Sequence, residues 1–290
     1  MFAVMGITGQ VGGAVATELL QKGKKVRGIV RDPKKAASWQ QRGAELVAAD
    51  CDDTATIQKA FAGAEGVFVM IPPNFAPTPG FVETRTTLAA LRPALLAARP
   101  AKAAFLSSVG GQQPRSTGLI TSTHLLEQEM NTLGIPSAFL RAGWFMENSL
   151  WDVAAAREQS KLFSYLQPLD HTFPLVGTKD IGRAAAEVLL QDWKGNRFIE
   201  VAGPRRYSPL DMAAAFAHSL HKKVEAVVVP RDKWVSNFVA EGMPEDRTAA
   251  RVEMVDGFNS GWIDFGVPGT EHFTGTTELQ TVIDQLIARV

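Results

Sequence analysis

The stretch Phe2-Ala-Val-Met-Gly-Ile-Thr-Gly-Gln-Val-Gly-Gly-Ala-Val15 decides the fold. It opens with four apolar residues, a run that is typical of a strand buried on both faces. Three glycines, Gly6, Gly9 and Gly12, follow at three-residue spacing. Apolar residues then recur at four-residue intervals, which predicts a helix that begins inside the glycine run and ends at Gly23.

A strand, a glycine turn and a helix in this order leave the backbone N–H groups of the helix N-terminus with no side chain over them. Such N–H groups, together with the helix dipole, bind a pyrophosphate. The spacing Gly6-x-x-Gly9-x-x-Gly12 differs from the G-x-G-x-x-G fingerprint of dinucleotide-binding proteins, so a tight turn that binds nothing is the alternative. We favour the pyrophosphate site because a strand, a helix and a cationic segment stand in the expected order around the turn.

The cationic segment is Arg31-Asp32-Pro33-Lys34-Lys35, which directly follows a second predicted strand at 25–30. At this position of a dinucleotide-binding fold an acidic residue binds the ribose 2′-hydroxyl of NAD, whereas an arginine binds the 2′-phosphate of NADP. The guanidinium of Arg31 is suited to bind phosphate through two hydrogen bonds, and the two lysines add positive charge. The sequence therefore predicts NADP(H) as the cofactor, while Asp32 leaves some use of NAD open.

Four further apolar segments alternate with predicted helices up to residue 143. These predicted strands are 45–49, 66–71, 103–106 and 137–140. Alternation at this spacing requires right-handed parallel crossovers, so we predict an α/β fold with a doubly wound parallel sheet of the Rossmann type. Ligands of such sheets bind outside the carboxyl ends of the strands, so the loops after these strands are expected to converge on one crevice.

The regular alternation loosens after Trp144, and a chain of 290 residues is long enough for two modest domains. We predict that residues 1–143 form the dinucleotide-binding domain. A helix at 179–190 and a strand at 198–201 are expected to return to that domain. The rest of residues 144–290 is predicted to form a smaller α+β domain on the substrate side.

The composition limits the classes of partner and compartment. Lysine plus arginine total 30 and aspartate plus glutamate total 30, so the formal net charge is zero and no basic field favours direct nucleic-acid binding. A single cysteine forms no internal disulfide, which fits a reducing compartment. No apolar run approaches the ~20 residues of a membrane span, and no secretory signal precedes the first strand. We expect a cytoplasmic monomer or homodimer with no membrane contact.

Three longer motifs point to a family. They are Ile7-Thr8-Gly9-Gln10-Val11-Gly12-Gly13, Leu140-Arg-Ala-Gly-Trp-Phe-Met-Glu-Asn148 and Asp180-Ile-Gly-Arg-Ala-Ala-Ala186. These motifs resemble the NmrA-like branch of the atypical short-chain dehydrogenases, over nearly the whole chain and most specifically at Gly143–Asn148. Within that branch the sequence is similar to the NADPH-dependent quinone, azo-dye and triphenylmethane reductases. The same fold also serves nucleotide-sensing regulators.

The resemblance implies which residues contact the cofactor. The implied contacts are Gly6, Thr8, Gly9, Gln10 and Val11 at the pyrophosphate, Arg31 and Lys35 at the 2′-phosphate, Asp50 and Cys51 at the adenine, Ile71, Pro72 and Pro73 at the nicotinamide ribose, and Gly143, Trp144 and Phe145 at the nicotinamide. Members of the family often have a lysine four residues before a glutamate in the helix after the fifth strand. This chain has Thr123 before Glu127, which puts the usual contact with the nicotinamide ribose in question.

The typical short-chain dehydrogenase uses a Tyr-x-x-x-Lys pair, in which the phenol passes a proton to a carbonyl oxygen. Tyr165 is followed four residues on by Leu169, and Tyr207 by Asp211, so the pair is absent. Alcohol–ketone interconversion by that route is thereby excluded. A conjugated acceptor such as a quinone delocalises the incoming charge and depends less on a dedicated acid. We assign no catalytic residue and no metal ligand, although His124 is either a proton donor or a residue of the helix surface.

Two functional hypotheses follow from these residues. The first is an NADPH-dependent reductase of a small planar aromatic or quinonoid substrate, for which Phe75, Trp144 and Phe145 would provide an aromatic pocket. The second is a redox sensor without catalysis, which would distinguish NADP from NADPH and act through a protein partner. The missing Tyr/Lys pair is compatible with both.

Overall fold

The structure is a computed structural model and describes residues 1–289. Its strands are β1 (Phe2–Met5), β2 (Val26–Val30), β3 (Glu45–Ala48), β4 (Gly66–Val69), β5 (Lys102–Ser108), β6 (Ser137–Ala142), β7 (Trp144–Phe145), β8 (Lys161–Ser164), β9 (Leu175–Val176), β10 (Asn196–Ala202), β11 (Glu225–Val228) and β12 (Glu271–Thr274). Its α-helices are α1 (Gln10–Gln21), α2 (Ala37–Gln41), α3 (Thr54–Phe61), α4 (Val82–Ala98), α5 (Thr121–Met130), α6 (Val153–Gln159), α7 (Thr178–Leu189), α8 (Pro209–Leu220), α9 (Trp234–Ala240), α10 (Ala249–Asn259) and α11 (Leu279–Arg289).

Eight strands form one parallel sheet in the order β12-β10-β6-β5-β4-β1-β2-β3. The chain leaves β1 toward β2 and β3 on one side, then crosses to β4 on the other side. The strand order therefore reverses beside β1, and in doubly wound sheets a ligand crevice opens at such a point. This topology confirms the predicted α/β fold.

The sheet buries both of its faces, as the apolar runs predicted. Along β1 the side chains alternate, so that Phe2 and Val4 join one core while Ala3 and Met5 join the other. Helices α1, α2 and α7 cover the first face, and α3, α4 and α5 cover the second. All four β1 side chains are buried, which fixes the position at which the glycine turn leaves the sheet.

The second half of the chain contributes to the sheet and also forms a core of its own. Strand β10 pairs with β6, and α7 packs on α1. A separate cluster centred on Phe173, Tyr207 and Phe216 joins α6, α8 and α11. Strand β12, which was not predicted from the sequence, extends the sheet beside β10. The division into two domains at residue 143 stays a prediction.

No helix among residues 1–289 combines the length and apolar character that crossing a bilayer requires.

Candidate active site

The glycine turn after β1 is shaped by backbone contacts that a side chain would obstruct. Gly6 has a φ of +64°, and its carbonyl oxygen accepts a hydrogen bond from the Gly9 N–H (2.8 Å). A Cβ on Gly12 would lie 2.3 Å from the same oxygen. Gly9 is the N-cap of α1, and no side chain accepts a hydrogen bond from the first turn of that helix. The first-turn N–H groups therefore remain available to an anion.

The pyrophosphate residues of the sequence analysis lie on this turn. Thr8, Gly9 and Gln10 are exposed, whereas Val11 has its side chain in the core of the first sheet face. Val11 thus offers only its backbone N–H to a ligand. The local sequence explains this difference in exposure, because Val11 is the first residue of the apolar stripe through which α1 packs on the sheet.

The segment after β2 presents cations to solvent. Arg31 and Lys35 are exposed, and neither side chain hydrogen-bonds to a group of residues 1–289. Asp32 instead caps a short 3₁₀ turn, where its Oδ1 accepts from the Lys34 N–H at 3.0 Å. The carboxylate is therefore occupied within its own turn, while both cations are free to bind a phosphate.

A groove of about 150 Å³ joins the loop after β3 with the loop after β4. Its lining includes Cys51, Ile71, Pro72 and Pro73, so these four residues of the sequence prediction lie together. Burial, followed by the charges of Asp52 and Asp50, raises the pKa of the Cys51 thiol, which favours the protonated form. Asp50 is exposed beside this groove, and its Oδ1 accepts from the Asp52 N–H (3.1 Å).

The strand end after β6 carries the aromatic residues. Gly143 is buried, and Trp144 and Phe145 are half-buried in β7, which pairs with β9. The Trp144 ring stands edge-on to Phe258, with 5.2 Å between the ring centroids. Phe145 packs against the core of the first sheet face. Packing thus holds both rings at the same edge of the sheet as the glycine turn and the loops after β2, β3 and β4.

An exposed aromatic pair joins the loop after β4 to the segment that follows β7. Phe75, in the loop after β4, meets Trp151 edge-on, with 5.6 Å between the ring centroids. The two side chains are 50% and 59% exposed, so their contact lies at the protein surface and is surrounded by solvent. Phe75 was predicted from the sequence to line an aromatic pocket, whereas Trp151 was not identified; it belongs to the 3₁₀ segment Met146–Asp152.

A buried polar network lies under the carboxyl ends of β5 and β6. Arg141 binds both carboxylate oxygens of Glu127, with Nε–Oε1 and Nη2–Oε2 distances of 2.9 and 2.7 Å. Ser107 Oγ donates to Glu127 Oε1 at 2.6 Å. All three residues are at least 95% buried. The carboxylate charge is therefore neutralised and hydrogen-bonded within the protein, which a buried ion requires.

Both tyrosines of the chain have structural partners. Tyr207 donates to Glu278 Oε2 at 2.7 Å, and burial, with the carboxylate, raises the pKa of its phenol to about 12. Tyr165 donates to Glu241 Oε1 at 3.3 Å, and burial raises the pKa of this phenol as well. A phenol that transfers protons in a dehydrogenase needs the opposite shift.

Sequence similarity to known proteins identifies the family of this chain. A model of the NmrA-like family matches residues 1–266. The chain belongs to this family. An NAD(P)H azoreductase from Xenophilus azovorans is 28% identical to it over 258 residues, which make up 88% of this chain and 86% of that protein. The family predicted from the sequence motifs is thereby confirmed.

Two crystal structures of reductases share the fold of this NmrA-like protein. The NADPH-dependent quinone oxidoreductase of Escherichia coli, complexed with NADPH, gives a TM-score of 0.76 at 23% identity and covers 99% of both chains. The triphenylmethane reductase of Citrobacter sp., complexed with NADP(H), gives a TM-score of 0.80 at 21% identity. That alignment covers 99% of this chain and 100% of the other.

The ionised form of the Asp152 carboxyl is disfavoured in the folded protein. Asp152 ends the 3₁₀ segment beside Trp151, and neither of its carboxylate oxygens accepts a hydrogen bond within residues 1–289. Burial, and then the charge of Glu241, raises the pKa of Asp152 from 3.8 to about 7. Between these two values the folded protein holds a proton that the unfolded chain releases, so stability falls as pH rises through this window.

We expect Asp152→Asn to remove this pH dependence. The variant should gain stability over the unmodified protein at about pH 8, and the gain should shrink toward about pH 5, where the carboxyl is protonated in the folded state. Urea unfolding at both pH values measures the difference. The exposed Asp170 provides a matched control, since Asp170→Asn should leave the free energy of unfolding unchanged at both pH values. An equal effect of Asp152→Asn at both pH values would contradict this assignment.

Proposed function

We propose that the protein is an NADPH-dependent oxidoreductase that reduces a small, planar, conjugated acceptor such as a quinone or an azo compound. The observation that carries the proposal is the uncovered first turn of α1 at the sheet edge, next to a cationic strand end. The reductase names and bound cofactors of the relatives support it. The regulatory alternative is not favoured, because the azoreductase relative extends over most of the chain.

The cofactor fits the residues of the crevice. The backbone N–H groups of Gln10 and Val11 would hold the pyrophosphate, since the turn from Gly6 to Gly9 places no side chain over them. Arg31 would bind the 2′-phosphate through its planar guanidinium, with Lys35 as a second cation. Asp50 and Cys51 would border the adenine.

The nicotinamide side of the crevice would be formed by the loops after β4 and β6. Ile71, Pro72 and Pro73 would line the ribose, and Gly143, Trp144 and Phe145 would face the ring. When bound, the reduced nicotinamide supplies a hydride, and the protein contributes chiefly by holding the acceptor close to it. Flat aromatic acceptors suit a pocket with aromatic walls.

The acceptor class follows from the residues that could supply a proton. Neither Tyr165 nor Tyr207 has a lysine four residues on, and both phenols have raised pKa values. A ketone needs a strong proton donor as it takes up hydride. A quinone or a cationic dye spreads the incoming negative charge over its conjugated system, so the demand for an acid is lower.

Steady-state kinetics test the proposal. The purified protein should consume NADPH in the presence of a quinone, an azo dye or a triphenylmethane dye, followed by the loss of NADPH absorbance and by decolorisation of the dyes. NADH should be a poorer donor than NADPH. A protein that binds NADPH but reduces no member of this panel would contradict a reductase.

A further inference from the structure

The imidazole of His124 is held by a backbone carbonyl in one tautomeric form. His124 Nδ1 lies 2.9 Å from the carbonyl oxygen of Gly111. A carbonyl oxygen only accepts hydrogen bonds, so Nδ1 carries a proton. Nε2 is then the nitrogen that gains and loses a proton. Within residues 1–289, Nε2 has no hydrogen-bond partner.

The carbonyl that holds His124 is itself fixed by the buried network. Gly111 sits so closely over Ser107 and Glu127 that a Cβ would come within 2.8 Å of Ser107 Oγ and of Glu127 Oε1. Its N–H donates to the Ser108 carbonyl (2.8 Å). Glu127 also lies one helical turn beyond His124 on α5. The Gly111 backbone that orients the imidazole therefore packs directly on the buried network of Ser107, Glu127 and Arg141.

The position of His124 in the fold is beside the proposed nicotinamide site. Gly111 belongs to the loop after β5, and β5 lies between β4 and β6, whose loops would border the nicotinamide and its ribose. The first turn of α5 also touches the groove, because Ser122 Oγ accepts from Thr84 (3.2 Å), a residue of its lining. His124 is half-buried, so part of its side chain remains accessible to solvent.

We propose that His124 is the proton donor for quinone reduction, acting through Nε2. This inference rests on the proposed reductase function. The carbonyl oxygen of the quinone takes a proton from the imidazolium Nε2–H as the hydride from NADPH adds to the conjugated system. The imidazole is left as the Nδ1–H tautomer that Gly111 stabilises, and it regains its proton from water. One quinone, one NADPH and one proton give one hydroquinone and one NADP⁺.

Two acceptors separate proton transfer from every other contribution of His124. Reduction of a quinone consumes a hydride and a proton, whereas a cationic triphenylmethane dye becomes its neutral leuco form by taking a hydride alone. In His124→Asn the side-chain amide can still donate a hydrogen bond to the Gly111 carbonyl, but it is too weak an acid to transfer a proton to the quinone. We expect kcat for the quinone to fall about 100-fold, while kcat for the dye stays unchanged. His218→Asn, at an exposed position of α8, is the control and should change kcat for neither acceptor.

The outcomes distinguish this inference from the function on which it rests. An equal loss with both acceptors, or no loss with the quinone, overturns the role of His124 while leaving the reductase intact. An unmodified protein that reduces neither acceptor overturns the reductase, and the role of His124 with it. As a second measurement, added imidazole should restore quinone reduction by folded His124→Ala, and failure of this rescue also overturns the proposal.

Discussion

Replacing Arg31 with glutamate is expected to weaken NADPH binding by about 100-fold, because a charge-assisted phosphate contact is lost and a repulsion is added. NADH has no 2′-phosphate, so its affinity should change little. The preference for NADPH over NADH should therefore disappear or reverse. Calorimetric titration of both nucleotides into the variant and the unmodified protein measures the change.

The matched control for this reversal flanks the same strand at its other end. Lys25 is exposed directly before β2, whereas Arg31 directly follows it, so Lys25→Glu changes the net charge equally at the opposite edge of the sheet. It should leave the nucleotide preference intact. If the two variants shifted the preference alike, overall charge rather than a contact at Arg31 would determine it.

Replacing Arg141 with methionine is expected to lower the free energy of unfolding by about 3–5 kcal/mol, because the buried Glu127 carboxylate would lose its counter-ion. Methionine fills much of the same volume, so the effect measures the charge more than a cavity. Urea unfolding gives the free energy.

Two further variants test whether the missing counter-ion is the cause. Glu127→Met combined with Arg141→Met should recover part of the loss, since no buried charge then remains unpaired. Arg231→Met breaks an exposed ion pair with Asp256 and should cost at most about 1 kcal/mol. If the double variant were no more stable than Arg141→Met alone, the loss would come from packing.

The elements that follow from local pattern were predictable. Strand β1, the glycine turn and α1 were predicted because an uninterrupted apolar run, glycine spacing and a four-residue apolar repeat all lie within twenty consecutive residues. The parallel arrangement of the first six strands followed from their alternation with helices. The strand predicted at 198–201 lies within β10.

The missed elements lack such a local signal. Strand β12 has only four residues, Glu271–Thr274, and they are largely exposed at the sheet edge. The Glu127–Arg141 pair joins a helix to a strand 14 positions away, so no spacing rule reveals it. Trp151 meets Phe75 across a gap in sequence of more than seventy residues. These contacts depend on how the elements pack, which the sequence pattern does not specify.

Some residues of the candidate site could likewise be predicted from the sequence, and others could not. The cations at Arg31 and Lys35 and the bare turn at Gly9 could be identified from residue type and position alone. The tautomer of His124 and the groove shared by Cys51 and Pro72 required the three-dimensional arrangement. The first depends on a contact between α5 and the loop after β5, and the second joins the loops after β3 and β4. Asp152 has no sequence motif, and only its burial reveals its raised pKa.

The most direct test of the account is a crystal structure of the protein grown with excess NADPH. We predict the pyrophosphate against the backbone N–H groups of Gln10 and Val11, and the 2′-phosphate beside Arg31. The nicotinamide should lie between the loops after β4 and β6. A nucleotide bound in another cleft, or a 2′-phosphate turned away from Arg31, would contradict the account.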